Sequence, residues 1–394
     1  MPPDAASGLY IHVPFCLSKC PYCDFYSVTN LEAAPAFAAA LEDEMRMRKD
    51  EGGWGGRMFG SLYLGGGTPT AIGIRLIERM LDAAGRHFRM LPDTEITIEA
   101  NPATITAEGL SGLRVLGVNR INIGVQSFDD GALAFLGRRH TAAEAMDAIR
   151  LARKAGFDNI GIDLIYGIPG GMPGGGLPKA DESRWAKELE TALSFAPEHI
   201  SCYMLTLEPG TPMHDEHRKG RFELPDDDLA GELFLSASRG LSAMGYEHYE
   251  ISNFALHPGY RSVHNSGYWD NRPYLGLGPA AHSYCDPVRT ANIRSVADYI
   301  ECIEAGGLPV ETSETLNAAQ QMMEAVYLGL RRAEGISIAA FESRFNVDFA
   351  SVFKDAAEKF TAEGRMVADE KSCRLTPEGM LFHESIAAAL IDRI

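Results

Sequence analysis

Residues 10–25 read YIHVPFCLSKCPYCDF and place three cysteines within eight positions. Cys16, Cys20 and Cys23 directly follow Leu9–Val13, a short apolar run with the composition of a buried β-strand. Iron–sulfur clusters are held by cysteine thiolates, and a fully ligated 4Fe–4S cluster needs four of them. Three clustered thiolates therefore predict a cluster with one iron left open, and open metal positions are where chemistry takes place.

A zinc site is the alternative interpretation of the same cysteines. It would need a fourth ligand from elsewhere, and nearby His12 lies within the predicted strand. The stretch also lacks the second Cys-x2-Cys pair of many zinc sites. The remaining cysteines are scattered, and we expect small buried hydrophobic residues at Cys202, Cys285, Cys302 and Cys373.

Short apolar runs alternate with helical patterns from residue 8 to about residue 205. The runs are nearly continuous in Val, Ile, Leu and Tyr, which is typical of parallel strands covered on both faces. The predicted strands are Leu9–Val13, Ser61–Leu64, Glu95–Glu99, Arg120–Val125, Asn159–Leu164 and His199–Leu205. The predicted helices are Pro35–Lys49, Ala71–His87, Ala107–Leu116, Ala142–Ala155 and Glu182–Phe195. This alternation predicts an α/β fold built on a partial (β/α)6 barrel.

Polar residues and glycines stand at the ends of five of the six predicted strands. They are the three cysteines, residues 65–68, Glu99, Gln126 and Asp163. Because the carboxyl ends of parallel barrel strands meet at one face, we expect these residues to form a single rim.

The alternation stops beyond Pro209. We predict a helix at Asp226–Met244, an extended segment at Tyr246–Phe254 and a loop-rich aromatic stretch from His264 to Tyr284. Helices and a hairpin then suggest a winged-helix-like module, from the segments Glu314–Arg332, Ile338–Phe345, Phe353–Glu363 and Asp369–Ser372. The predicted domains are a partial barrel at 1–210, an α+β extension at 211–310 and the module at 311–394. A Gly/Pro-rich surface insertion is predicted at 170–176.

The chain is acidic, with 54 Asp and Glu against 36 Lys and Arg and a formal net charge of −18. Residues 314–394 hold nine basic and thirteen acidic residues. Neither the whole chain nor this module therefore has the excess of positive charge that nucleic-acid binding requires. No apolar run reaches membrane-spanning length, and residues 1–8 contain no signal-like segment. We expect a cytoplasmic protein without an integral membrane segment.

Several motifs together resemble the radical SAM superfamily, specifically its HemN/HemW branch, whose members use S-adenosylmethionine (SAM). The likeness begins with YxHxPFCxxxCxxC and extends over nearly the whole chain. The further matching strings are GGGTPT at 65–70, EANP at 99–102, NRINIGVQSF at 119–128, LGRRH at 136–140, DLIYGIP at 163–169 and YEISNF at 249–254.

The resemblance implies that the amino and carboxylate groups of SAM chelate the open iron. It also implies SAM contacts at Tyr10, Gly66, Gly67, Thr68, Glu99, Gln126, Arg138, Asp163 and Thr206. Carboxylates and an amide suit ribose hydroxyls and an ammonium group, while arginine suits a carboxylate. Each residue also has a structural interpretation, such as a strand-end salt bridge for Glu99 or a solvated charge for Arg138.

Residues 264–269 read HNSGYW and resemble the HNxxYW motif of HemW-type heme chaperones. The resemblance implies heme binding near His264, since imidazole is a common axial ligand and aromatic faces suit a porphyrin. The alternative is a hydrogen-bonded histidine among packed aromatic rings. His282 is a second candidate heme ligand.

The implied function is that of a heme chaperone, which binds heme and a SAM-ligated 4Fe–4S cluster and passes heme to an acceptor protein, for example a respiratory one. The alternative is an oxygen-independent coproporphyrinogen III dehydrogenase. Those decarboxylases resemble this chain but carry a further cysteine where Phe25 stands, and a long N-terminal extension. A radical SAM enzyme that modifies heme is a third possibility. The sequence leaves open whether SAM is cleaved.

Overall fold

The computed structural model describes residues 6–169 and 180–394, so the predicted insertion at 170–176 lies outside the described residues. The strands are β1 Ser7–Val13, β2 Met58–Gly66, β3 Arg89–Ala100, β4 Arg120–Gln126, β5 Ile160–Tyr166, β6 His199–Met204, β7 Glu247–Glu250, β8 Asn253–Ala255, β9 Tyr274–Leu277, β10 His282–Cys285, β11 Val288–Asn292, β12 Val310–Thr315, β13 Ile336–Ser337, β14 Met366–Ala368 and β15 Ser372–Leu375.

The helices are α1 Ala34–Asp50, α2 Ile74–His87, α3 Ala107–Val115, α4 Asp130–Phe135, α5 Ala142–Lys154, α6 Glu182–Leu193, α7 Pro212–Arg218, α8 Asp227–Ala243, α9 Val263–Trp269, α10 Val296–Glu304, α11 Ala318–Gly329, α12 Ile338–Phe345, α13 Phe349–Ala362, α14 Pro377–Met380 and α15 His383–Ile391.

A 12-stranded sheet carries the fold, in the order β12-β11-β10-β9-β1-β2-β3-β4-β5-β6-β8-β7. Strands β1 to β6 are parallel neighbours, which confirms the predicted α/β fold. β9 adds a further parallel strand beside β1, and antiparallel strands extend both edges. The sheet order begins at β12 and ends at β7 among the described residues.

Continuous apolar strands are buried because helices cover the sheet. Leu9, Ile11 and Val13 of β1 are all inaccessible to solvent, as expected for a central parallel strand. Side chains at the helix termini cap the helices and define where they begin. Thr141 accepts a hydrogen bond from the amide of Glu144, whose carboxylate accepts one from the Thr141 amide, so α5 begins with a capping box.

The stretch predicted as loop-rich differs most from the structure. It contains α9, which begins after Ser262 and includes the HNSGYW segment, and it contributes β9 and β10 to the sheet. Ser262 accepts a hydrogen bond from the Asn265 amide, and this N-cap starts a helix that Asn, Ser and Gly would not favour alone.

The C-terminal region has the predicted order of helices followed by a hairpin. α12 and α13 precede the antiparallel pair β14–β15, which β13 extends to a three-stranded sheet. The proposed domain boundaries near residues 210 and 310 stay predictions, because the large sheet takes in strands on both sides of each. In the described part of the chain, no helix is long and apolar enough to cross a membrane.

Candidate functional site

A cavity of about 550 Å³ opens at the carboxyl ends of the parallel strands. Eleven of the fourteen residues predicted to bind the cluster, SAM or heme line it, while Tyr10, His264 and His282 do not. The eleven are Cys16, Cys20, Cys23, Gly66, Gly67, Thr68, Glu99, Gln126, Arg138, Asp163 and Thr206. The structure brings these residues together from β2, β3, β4, β5 and the loops that follow the strands. Tyr10 and His264 lie outside this cavity.

The three thiols lie on the loop that leaves β1. Thr68 Oγ1 donates to Cys16 Sγ over 3.5 Å, and an Arg138 Nη1–H points to Cys20 Sγ over 3.7 Å. Burial raises the pKa of the Cys23 thiol, and the Cys20 and Cys16 thiols raise it further. A bound cation would offset this cost, because metal ligation requires the thiolate form. The donor set therefore fits a cluster held by three cysteines.

A mononuclear metal site would require side chains that converge on one point. Within residues 6–169 and 180–394, no three His, Cys, Asp or Glu side chains do so. A 4Fe–4S cluster sets each thiolate on a different iron and therefore needs no such convergence.

Glycines allow the loop after β2 to pack against the cysteine loop. Gly66 has a φ of +105°, and a Cβ there would lie 2.4 Å from the ring of His12. A Cβ on Gly67 would lie 2.8 Å from the backbone nitrogen of Phe15. The amides of Gly67 and Thr68 bond to the carbonyls of Val13 and Phe15 over 2.9 and 2.7 Å. Both glycines are thus required by close backbone packing.

Two partly buried carboxyl groups, those of Glu99 and Asp163, face the cavity. Glu99 accepts hydrogen bonds from Tyr63 Oη at 2.7 Å and from the Gly66 amide at 3.1 Å. Burial raises its pKa to about 7, and the neighbouring Asp163 contributes to the rise. Burial also raises the pKa of Asp163, although the Asn122 amide donates to both its oxygens, at 2.8 and 3.0 Å. Buried carboxyl groups of raised pKa are typical of functional sites.

Strand β4 contributes a polar corner to the same cavity. Gln126 adopts a left-handed conformation with φ of +67°, which is uncommon for a residue with a side chain. Arg138 Nη2 donates to the Gly124 carbonyl at 2.7 Å, while its buried Nε has no partner among the described residues. A guanidinium that lines the cavity beside a residue of uncommon conformation suits an anionic ligand group.

Tyr10 and His264 lie behind Tyr63, a residue of the cavity wall, with ring centroids 6.2 and 5.1 Å from that of Tyr63. Tyr10 Oη bonds to His12 Nδ1 at 3.1 Å and lines a second cavity of about 740 Å³. His264 is only 3% exposed, and its Nδ1 and Nε2 bond to Ser61 Oγ at 2.9 Å and Tyr268 Oη at 2.8 Å. Burial lowers the pKa of His264 to about 3, so its imidazole is neutral. The other candidate heme ligand, His282, is exposed and lines the second cavity.

Sequence reasoning did not single out Tyr63 or Asn122, which hold the two carboxyl groups. Both lie on parallel strands and point to the cavity, as β2 and β4 place them. Asn122 stands within an apolar strand, and a polar residue in such a run was the available signal. The sequence contains no comparable signal for Tyr63, because tyrosine is common in β-strands.

Comparison with known proteins places this arrangement in a family. Residues 10–171 match the family described as Radical SAM superfamily, and residues 316–382 match the HemN C-terminal domain. A heme chaperone HemW from Bacillus subtilis is 35% identical over 98% of this chain and 99% of its own. One from Mycobacterium tuberculosis is 31% identical over 99% and 96%.

Among solved structures, the coproporphyrinogen III oxidase HemN from Escherichia coli, described as a radical SAM enzyme, shares the fold. Its TM-score is 0.83 at 22% identity, over 100% of this chain and 91% of that one. Together these matches show that the chain belongs to the HemN/HemW branch of the radical SAM superfamily.

Proposed function

We propose that this protein is a heme chaperone that holds a 4Fe–4S cluster, binds SAM at the same cavity and passes heme to an acceptor protein. The observation that carries the proposal is the similarity, over 98% of the chain, to a protein named heme chaperone HemW. Phe25 also supports it, since it stands where the resemblance to coproporphyrinogen decarboxylases would require another cysteine.

Different residues of the chain would bind the cluster and the charged groups of SAM. Cys16, Cys20 and Cys23 would hold the cluster, which when bound supplies an open iron for the amino and carboxylate groups of SAM. Glu99 and Asp163 offer negative charge to the cationic parts of SAM. Arg138, which lines the cavity, offers positive charge to its carboxylate.

The cluster ligands can be tested by cysteine substitution. Cys16→Ala, Cys20→Ala and Cys23→Ala are each expected to lower the iron and sulfide content of anaerobically purified protein to near background. Cys302→Ala is the matched control, because Cys302 lies in α10 and lines neither cavity. Full iron content in any of the three variants would contradict the assignment of that cysteine. Stoichiometric zinc without sulfide would favour the zinc alternative instead.

The chaperone function is separated from the enzymatic alternatives by two parallel measurements. Titration with hemin is expected to give a Soret band that saturates at about one equivalent, as a specific axial site would. Incubation with coproporphyrinogen III, SAM and reductant under anaerobic conditions is expected to yield no protoporphyrinogen. Turnover there would overturn the proposal, and an opened or methylated macrocycle after incubation with heme would indicate heme modification.

A further inference from the structure

The second cavity is rich in aromatic side chains and is called the aromatic cavity below. Its lining includes the rings of Phe25, Tyr26, Tyr268, Trp269, Tyr274 and Tyr284. A volume of about 740 Å³ lies in the range of roughly 300–1,000 Å³ that holds small-molecule ligands and cofactors. Such a lining offers flat apolar faces to a large planar ligand.

One histidine in this cavity has a free imidazole. His282 is exposed on β10, and no side-chain hydrogen bond is found for it within residues 6–169 and 180–394. His12, which also lines the cavity, uses Nδ1 for Tyr10 and Nε2 for the carbonyl of Tyr26 at 2.9 Å. Both nitrogens of His264 are likewise engaged. His282 is therefore the histidine at this cavity that can accept a metal without first breaking a hydrogen bond.

The arginines at the aromatic cavity also differ in whether they have a partner. Arg289 pairs with Glu324 at 2.6 Å, and Arg272 pairs with Asp270 at 2.5 Å. Arg294 is exposed and lies over the ring of Tyr26 at 5.5 Å, with no carboxylate partner in the described part of the chain. Its guanidinium is thus available to a ligand carboxylate.

The aromatic cavity adjoins the cavity of about 550 Å³ that Cys16, Cys20 and Cys23 line. Asp24 and Phe25, which directly follow Cys23, line both. Phe25 is 70% exposed, so its ring is open to a ligand that enters the cavity. A planar ligand in the aromatic cavity would cover this ring and lie next to the cysteine loop.

We propose that the aromatic cavity is the heme site, with His282 as the axial ligand and Arg294 beside a propionate group. This proposal rests on the proposed chaperone function and names the site that it uses. His264 then acts as a positioning residue, because it bonds to the hydroxyl of Tyr268, a side chain in the cavity wall. The heme-binding effect of the HNSGYW segment would thus be indirect.

The test compares hemin titrations of full-length holoprotein and its variants. His282→Ala is expected to weaken hemin binding at least about tenfold, since even outer-shell partners of a metal contribute roughly 10–100-fold. It should also lose the Soret and EPR signals of a histidine-ligated heme, and added imidazole should restore them in His282→Gly. Arg294→Gln is expected to weaken binding about two- to fivefold without a spectral change.

His264→Gln and His87→Ala complete the set. His264→Gln should keep the axial-ligand spectrum while binding hemin more weakly, and His87→Ala, at the end of α2, should match the unmodified protein. The site assignment is overturned if His282→Ala keeps the spectrum, and loss of the spectrum in His264→Gln would then assign the axial ligand to His264; the chaperone proposal would survive either result. If the unmodified protein binds no hemin, the proposed function itself fails. Iron content and SAM binding, unchanged in His282→Ala, show that the variant is folded.

Discussion

The site contains two partly buried carboxyl groups that form no ion pair within residues 6–169 and 180–394, although the charges of Arg120 and Arg138 act on Asp163. Glu99 and Asp163 are held by neutral donors, namely a tyrosine hydroxyl, a backbone amide and the Asn122 side chain. Neutral donors orient a carboxylate without cancelling its charge, and burial then disfavours ionisation. The part of the cavity beside Glu99 therefore suits a ligand group that brings positive charge, as the sulfonium or ammonium of SAM would.

This arrangement predicts that SAM binding depends on pH through Glu99. Its pKa of about 7 in the free protein means that lowering the pH below 7 protonates the group. A bound cation favours the ionised form, so the affinity for SAM should fall by up to about tenfold per pH unit below 7. Calorimetry or equilibrium dialysis between pH 6 and 8 measures this slope. In Glu99→Gln the slope should be largely removed and the affinity at pH 8 reduced.

A matched control and a second readout accompany this prediction. Glu190→Gln changes an exposed carboxylate on α6 and should leave the slope intact. Between the ordinary glutamate pKa and 7, folded Glu99 holds a proton that the unfolded chain has lost. Its contribution therefore lowers stability as pH rises through this window, and Glu99→Gln should be less sensitive there. An unchanged SAM slope in Glu99→Gln would contradict the role given to this residue.

At the scale of elements, local pattern and long-range pairing differ in how far sequence determines them. The six parallel strands were predictable because their apolar runs are bounded by glycines and polar residues, and the helices between them by 3.6-residue periodicity. The Thr141 capping box was also readable from its spacing. The pairing of β9 with β1 could not be predicted from the sequence. A four-residue strand some 260 positions away carries no local signal of its partner.

The same contrast holds for the site. The rim residues could be predicted because strand ends share an edge, whereas the burial of His264 could not. Its segment forms α9, which Ser262 caps, and Ser61 and Tyr268 engage the imidazole. The aromatic cavity likewise depends on residues from β1, α9, β10 and β11, which sequence separation keeps apart until the sheet forms.

Capping gives a quantitative prediction for α5. Thr141→Ala removes the hydrogen bond to the Glu144 amide and should lower the free energy of unfolding by about 1 kcal/mol. Denaturant-induced unfolding followed by circular dichroism measures the change. Thr191→Ala, inside α6, is the control, because alanine has the higher helix propensity and should be neutral or slightly stabilising. Equal destabilisation by both substitutions would show that the capping box contributes nothing specific.

At the scale of the whole molecule, Arg331 and Arg332 connect the C-terminal region to the large sheet. Arg331, just beyond α11, lies 3.5 Å from buried Glu250 of β7 and 4.4 Å above the ring of Trp269. The Arg331 carbonyl accepts from the Ile251 amide, and the neighbouring Arg332 pairs with Asp270 at the end of α9. One side chain thus joins the C-terminal region, the sheet edge and the helix beside the aromatic cavity.

Arg331→Met should show how much this junction contributes. Glu250 is inaccessible to solvent; burial raises its pKa and Arg331 counteracts that rise. Without the arginine, folded Glu250 would retain a proton that the unfolded chain releases, so stability should fall as pH rises. We expect a loss of about 3 kcal/mol at pH 7.5 and a clearly smaller one at pH 5.5, measured by chemical denaturation. Arg344→Met, which breaks a pair with partly exposed Asp286, should cost under about 1 kcal/mol at both pH values. A loss in Arg331→Met that is independent of pH would mean that the arginine acts through its contact with Trp269 rather than through the buried charge of Glu250.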